Sequence, residues 1–125
     1  MFEVAVEHEF AAGHALRGYQ GKCENIHGHN YKIQVVIAGE KLDSIGLLVD
    51  FKNIRTQIHS TADRLDHQFL NELPPFDDVN PSAENLAKYF FEEIQQVYQN
   101  GNLHVKSVTV WENNKTWATY HLNEL

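Results

Sequence analysis

Three histidines and one cysteine carry most of the chemistry this chain could do. His27 and His29 flank Gly28 in the run CENIHGHNY, and Cys23, the only thiol in 125 residues, lies just upstream. On an extended strand, residues two apart point the same way, so both imidazoles face one side and can chelate a metal ion. A catalytic zinc takes three protein ligands and leaves its fourth position to water or substrate. His14, which follows the first strand in FAAGHAL, is the natural third ligand, because an antiparallel partner would set it beside the HGH pair. The bland reading is a polar sheet face that happens to be lined by histidines, and H-x-H alone does not separate the two.

Cys23 has three readings. Near a cation and imidazoles its thiol acidifies and can pass protons near neutral pH; in an apolar setting it is a small buried hydrophobe; as a fourth ligand it would close a structural zinc site. Asp66 and His67, in RLDHQFLN, form a second candidate pair. A carboxylate beside an imidazole fixes its tautomer and raises its basicity, whereas the plain alternative has Asp66 capping a helix or pairing with Arg64. Glu112 shares the strand parity of Val108 and Val110. Its carboxylate would then face the apolar side and need a hydrogen-bond donor, such as a ligand, unless the strand has frayed and left it in water.

These groups need a frame, and hydrophobic periodicity supplies one. Phe2, Val4, Val6 and Phe10 alternate with Glu3, Ala5, Glu7 and Glu9, the period of a half-buried strand, with His8 on the apolar parity. Tyr31, Ile33, Val35 and Ile37 form a second strand ending at Gly39, and RGYQGK between the two suits a hairpin loop. Phe51, Ile54, Ile58, Ala62 and Leu65 recur at helical spacing behind Asp50 as cap. A second helix is announced by Asn80 as cap and Pro81 at the first helical position. It carries Ala83, Leu86, Ala87, Phe90, Ile94 and Val97, and Asn100 and Gly101 stop it. Val105–Glu112 and Thr116–Leu122 alternate as strands joined by NNK. The order ββααββ implies an α+β fold, one four-stranded antiparallel sheet with two helices on one face, in a single domain over residues 1–125. Such a sheet has two open edges, and a barrel assembled from several copies would remove them.

Composition narrows the partners. A net charge of −7 with no Lys/Arg cluster argues against nucleic acid and against a charged membrane surface. The apolar runs are too short to cross a bilayer. The acidic start MFEVAVEHEF does not resemble a signal sequence, and the lone cysteine excludes an internal disulfide. The expectation is a soluble cytoplasmic protein, and the charge leaves room for a small anionic ligand, whose needs are local.

Taken together, AAGHAL, CENIHGHNY, GLLVDF, RLDHQFLN, NPSAENLA and VWEN resemble the 6-pyruvoyltetrahydropterin synthase superfamily along nearly the whole chain. With three residues between Cys23 and the HGH element, the chain is most similar to the 6-carboxy-5,6,7,8-tetrahydropterin synthase branch of the queuosine (7-deazapurine) pathway. The resemblance implies the tunnelling fold (T-fold), with subunits joined into a trimeric barrel, two trimers stacked as a hexamer, and active sites between subunits. It implies Zn2+ held by His14, His27 and His29, proton transfer by Cys23, Asp66 and His67, and a pterin ring anchored by Glu112. The implied substrate is 7,8-dihydroneopterin triphosphate, leaving as 6-carboxytetrahydropterin, acetaldehyde and triphosphate. Alternatives are a 6-pyruvoyltetrahydropterin synthase, a dihydroneopterin aldolase-like cleavage, and a non-catalytic zinc-stabilised module that binds a purine or pterin. Gly13 stands where relatives often have alanine. Arg17, Lys22 and Lys32 are the available cations for a triphosphate, and His8, His59, His104 and His121 have no assigned role.

Overall fold

The computed structural model describes residues 1–99 and 101–123. Strands β1 (Phe2–His14) and β2 (His27–Gly39) pair antiparallel along their full lengths, with Phe2 opposite Gly39 and His14 opposite His27. Both run further toward their connection than the apolar alternation predicts, reaching His14 rather than Phe10 and starting at His27 rather than Tyr31. The added stretch contains Ala11, Ala12, Gly13 and Gly28, residues too small to give a periodic signal. The link between the strands spans 15–26, beyond RGYQGK (17–22) at both ends, and contains a single 3-10 turn at Lys22–Glu24. After helices α1 (Phe51–Asp63) and α2 (Ala83–Gln95), β3 (His104–Asn113) and β4 (Thr116–Tyr120) form the second hairpin. Its turn is held by Asn113 Oδ1, which accepts from the backbone N–H groups of Lys115 and Thr116. The sheet order is β1-β2-β3-β4, antiparallel throughout, so β1 and β4 are its edges.

Helix α1 starts as expected, with the Asp50 carboxylate accepting from Lys52 N at 2.8 Å. Helix α2 starts two residues later than Asn80 and Pro81 suggest. Ser82 is its cap, accepting from Asn85 N at 3.1 Å, while the Asn80 side chain is drawn off to the backbone of Arg17. The helix also ends early, at Gln95. Val97 lies beyond it, 48% exposed, and Tyr98 takes the inward place with its hydroxyl on Asn53. Gly101 follows with φ 88°, a left-handed turn that suits glycine, and Asn100 lies outside the described residues. Strand β4 ends at Tyr120 rather than Leu122.

One face of the sheet and the inner sides of both helices make the core. Val6 and Phe10 from β1, Tyr31, Ile33, Val35 and Ile37 from β2, and Val108 and Val110 from β3 pack against Ile54, Ile58, Leu86, Phe90 and Ile94. Besides Val97, two expected core residues stay out. Phe2 has only Gly39 opposite it at the end of an edge strand, and Phe51 opens α1 at 52% exposure. Gly39 is required where it stands, because a Cβ there would lie 2.7 Å from the Asn102 carbonyl oxygen. No helix among the described residues is long and apolar enough to cross a membrane.

Candidate metal centre and adjoining cleft

The parity that buries Tyr31, Ile33 and Val35 carries on along β2 to His29 and His27, and the same parity on β1 runs from Phe10 to His14. The three imidazoles therefore meet at the end of the core, each offering a ring nitrogen within 4.8 Å of the others. His14 is fully buried and its Nδ1 lies 2.6 Å from the Pro81 carbonyl oxygen; His27 Nδ1 lies 2.7 Å from the Asn25 carbonyl oxygen. A carbonyl only accepts, so both Nδ1 atoms carry the proton and both Nε2 atoms present bare lone pairs. Those two Nε2 atoms face each other at 3.0 Å, which neutral rings in these tautomers cannot convert into a hydrogen bond. His29 Nε2 is buried with no hydrogen-bond partner. Three converging lone pairs, two of them oriented by carbonyl groups behind the ring, fit a divalent ion of the zinc type. Burial holds His14 and His29 below the ordinary histidine pKa, which keeps them neutral and able to ligate. For His14 the Pro81 hydrogen bond acts in the opposite direction, and for His29 the Glu112 charge does so.

Glu112 stands beside this cluster. Its Oε2 is 3.9 Å from His29 Nε2, and its side chain is 28% exposed. A local irregularity puts it there. Trp111 pairs with Trp117 and Asn113 with Thr116, so Glu112 is the extra residue of a bulge, a device that re-aims a side chain near a site. Cys23 is half-buried and reduced, and it lines a cleft of about 290 Å³ together with Glu112, Leu16, Tyr19, Ser82 and Trp117. The thiol and the carboxylate thus share one cleft.

Asp66 and His67 lie elsewhere, in a segment that covers the outer edge of β1 at Ala11 and Gly13. Asp66 Oδ1 accepts from Ala11 N at 3.0 Å and its Oδ2 sits 3.0 Å from His67 Nδ1. The Ala11 N–H is the main reason the Asp66 carboxyl is held below its usual pKa. Arg64 does not pair with Asp66, since its guanidinium donates to the Tyr89 hydroxyl and the Pro74 carbonyl. His67 has φ 59°, uncommon for a residue with a Cβ, and its N–H donates to the Ala11 carbonyl at 2.6 Å. Its ring is 81% exposed and lines a second cleft, of about 400 Å³, with Gly13, Gly28, His29 and Asn30. One chain therefore gathers the histidine cluster, Glu112 and Cys23, and holds the Asp66–His67 pair at its edge.

One residue that spacing did not single out is Tyr31. It is buried, its ring sits edge-on to His14 and His29 at 5.8 and 5.4 Å, and its hydroxyl has no partner. Burial and then the Glu112 charge raise its pKa, keeping the phenol protonated. The available signal was its parity, two residues after His29. Of the candidate cations, Arg17 donates to the Phe76 carbonyl at 2.8 Å and Lys32 lies over the Trp111 ring at 4.2 Å. Both are thus occupied, while Lys22 is exposed beside Cys23.

The sheet and helix arrangement places the chain in the T-fold class: it superposes on the Caenorhabditis elegans 6-pyruvoyl tetrahydropterin synthase with a TM-score of 0.82, at 29% identity over 98% of both chains. A family model for 6-pyruvoyl tetrahydropterin synthase matches residues 3–123, and the chain belongs to that family. Within it, the chain is 26% identical to 6-carboxy-5,6,7,8-tetrahydropterin synthase of Haemophilus influenzae over 96% of this chain and 99% of that one. It is 31% identical to an Archaeoglobus fulgidus protein that bears the same name provisionally, over 92% and 91% of the two chains.

Proposed function

We propose that this protein is a zinc-dependent carbon–carbon lyase that converts 7,8-dihydroneopterin triphosphate and one water to 6-carboxy-5,6,7,8-tetrahydropterin, acetaldehyde and triphosphate, as a step toward queuosine. The observation that carries this reading is the open tri-imidazole cluster next to a cleft lined by both Cys23 and Glu112. His14, His27 and His29 would hold the zinc ion. When bound, that ion supplies Lewis-acid polarisation of oxygen atoms on the substrate's side chain.

The remaining work falls to side chains. Glu112 accepts hydrogen bonds from the guanidine-like edge of the pterin, whose N–H groups match its two oxygens. Cys23 removes a proton from the substrate's side chain and returns it. His67 is the partner acid, with Asp66 fixing its ring through the 3.0 Å contact at Nδ1. Since His67 and Cys23 line different clefts of one chain, the two meet between copies. The edge of β1 ahead of Ala11 and the edge of β4 provide the means, by strand pairing into a trimeric barrel that stacks as a hexamer. The site then lies at a subunit boundary.

Product analysis by mass spectrometry, with an acetaldehyde assay, on zinc-loaded protein and dihydroneopterin triphosphate tests this reading. Acetaldehyde and the carboxy product are expected. The likeness to the Caenorhabditis elegans enzyme favours a second reading, in which triphosphate leaves without carbon–carbon cleavage and the pyruvoyl product accumulates. Cys23→Ala should keep zinc and lose turnover; loss of zinc instead would make the sulfur a fourth ligand and the site a structural one.

A further inference from the structure

The strand that carries His14 does not stop being held where its strand partner ends. His14 opposite His27 is the last β1–β2 pair, yet the next three residues keep their backbone groups satisfied by another route. Asn71 Oδ1 accepts from Ala15 N at 2.9 Å and Asn71 Nδ2 donates to Ala15 O at 2.8 Å. Two residues on, Asn80 does the same to Arg17, accepting from its N at 2.9 Å and donating to its O at 2.8 Å. Between them Leu16 N points the other way and donates to Cys23 O at 2.8 Å. Two carboxamides thus stand in for a neighbouring strand on one side of residues 15–17, and the cysteine's own carbonyl binds on the other.

An asparagine side chain is suited to this because it offers one donor and one acceptor face, as a peptide group does. Aspartate would set a carboxylate against the Ala15 carbonyl, and alanine would leave both backbone groups without their partner. The clamps also tie into the ligand itself. Asn80 precedes Pro81, whose carbonyl fixes His14 Nδ1 at 2.6 Å, and the Asn80 carbonyl is in turn held by Asn85 Nδ2 at 2.8 Å. Asn71 and Asn80 therefore connect to the His14 imidazole and to the cysteine through one or two intervening residues, without touching either.

We propose that Asn71 and Asn80 are positioning residues that fix the spacing between the His14 ligand and the Cys23 loop. The inference rests on reading His14, His27 and His29 as the metal centre. A purely structural clamp would change stability alone, whereas a positioning clamp changes how tightly the ion is held and how the thiol reacts. Partners that orient a ligand typically carry 10- to 100-fold in metal affinity, which sets a scale of about 10-fold or more here.

The test compares the parent with Asn71→Ala, Asn71→Asp and Asn80→Ala. Zinc affinity is measured by competition with a chromophoric chelator, Cys23 reactivity by the iodoacetamide alkylation rate at fixed pH, and stability by melting the metal-free forms. Cys23 is the only thiol, so alkylation reports it without ambiguity. Zinc affinity is expected to fall about 10-fold or more in both Asn71 variants and in the same direction in Asn80→Ala, with a changed alkylation rate in the zinc-loaded protein. Unchanged affinity and alkylation, with only a lower melting temperature, would overturn the inference. Should Asn71→Ala fail to fold, Asn80→Ala decides on the same two readouts. A parent that binds no zinc would sink the metal reading and not the clamp, which the alkylation rate would then judge alone.

Discussion

Adding zinc should stabilise the protein by an amount that depends on all three histidines together, and the most direct perturbation is His29→Ala. A ligand that binds only the folded state stabilises by about 2.7 kcal/mol when present at 100 times its dissociation constant. At about 2.1 cal/mol/K per residue, 125 residues give an unfolding entropy of about 0.26 kcal/mol/K near the melting temperature. Melting should therefore rise by about 10 °C between chelator-treated and zinc-loaded parent. His29 supplies the Nε2 that is buried without a partner, so removing it leaves two lone pairs where three converged. If affinity falls 100-fold, the same zinc concentration equals the new dissociation constant and contributes about 0.4 kcal/mol, a shift under about 2 °C. Comparing each variant with its own chelator-treated form cancels the cost of the mutation to the metal-free protein.

The same titration has a pH arm whose sign follows from burial. Zinc binds neutral imidazole, and protons compete for the same nitrogens. Burial lowers the folded-state pKa of His14 and His29 from 6.5, so proton competition at these two imidazoles should weaken the zinc-dependent shift only below pH 6.5. In the metal-free protein the unfolded chain takes up these protons first. Stability then rises with pH across the interval between the lowered folded values and 6.5. An undiminished 10 °C shift in His29→Ala would refute the reasoning, because the stabilising ion would then lie elsewhere.

Three further outcomes are expected. Gly13→Ala should stabilise by about 0.4–1 kcal/mol in urea unfolding, since an added Cβ meets nothing closer than the His27 carbonyl oxygen at 3.5 Å. Gly39→Ala should cost about 1–3 kcal/mol in the same assay, its Cβ being driven to 2.7 Å from the Asn102 carbonyl oxygen and 2.8 Å from Leu48. Asp66→Asn should flatten the acid limb of the stability profile. The Ala11 N–H lowers the folded-state pKa of Asp66, so its contribution is present above the unfolded value and lost as pH falls through the folded one; an unchanged acid limb would show that the bond does not matter.

Much of this was legible from side-chain type. Alternation in Val6 to Phe10 and Tyr31 to Ile37 fixed which face is buried, and the H-x-H spacing put both rings on that face. The capping carboxylate of Asp50 was readable because Asp before a helical apolar run has few other uses. What could not be read was set by competition for backbone groups. Asn80 is as good a cap as Ser82 by type, but Arg17, 63 positions away in sequence, claims its side chain. The bulge that turns Glu112 is a feature of pairing between two strands and leaves no mark on either one. His67 is similar: its positive φ follows from the Ala11 carbonyl across the edge of β1, a contact only the assembled sheet supplies.

The histidine cluster and the core share one register, which has a consequence for how either can fail. On β2 the side chains of Ile37, Val35, Ile33, Tyr31, His29 and His27 lie on one face, grading from apolar to coordinating along a single strand. On β1 the same face runs through Val6, Phe10, Ala12 and His14. Slipping the pairing by one residue would turn every one of these to the other side of the sheet, expelling the core and dispersing the imidazoles together. The Phe10–Tyr31 stack, with ring centroids 5.1 Å apart, is the last aromatic contact before the histidines and pins that register at the point where apolar packing gives way to the imidazole cluster. The apolar side chains that fold the sheet are thus also the ones that aim the three ring nitrogens. Substitutions that loosen Phe10 or Tyr31 should weaken metal binding without touching a ligand, whereas equal losses of stability at the far end, near Ile37, should leave it intact.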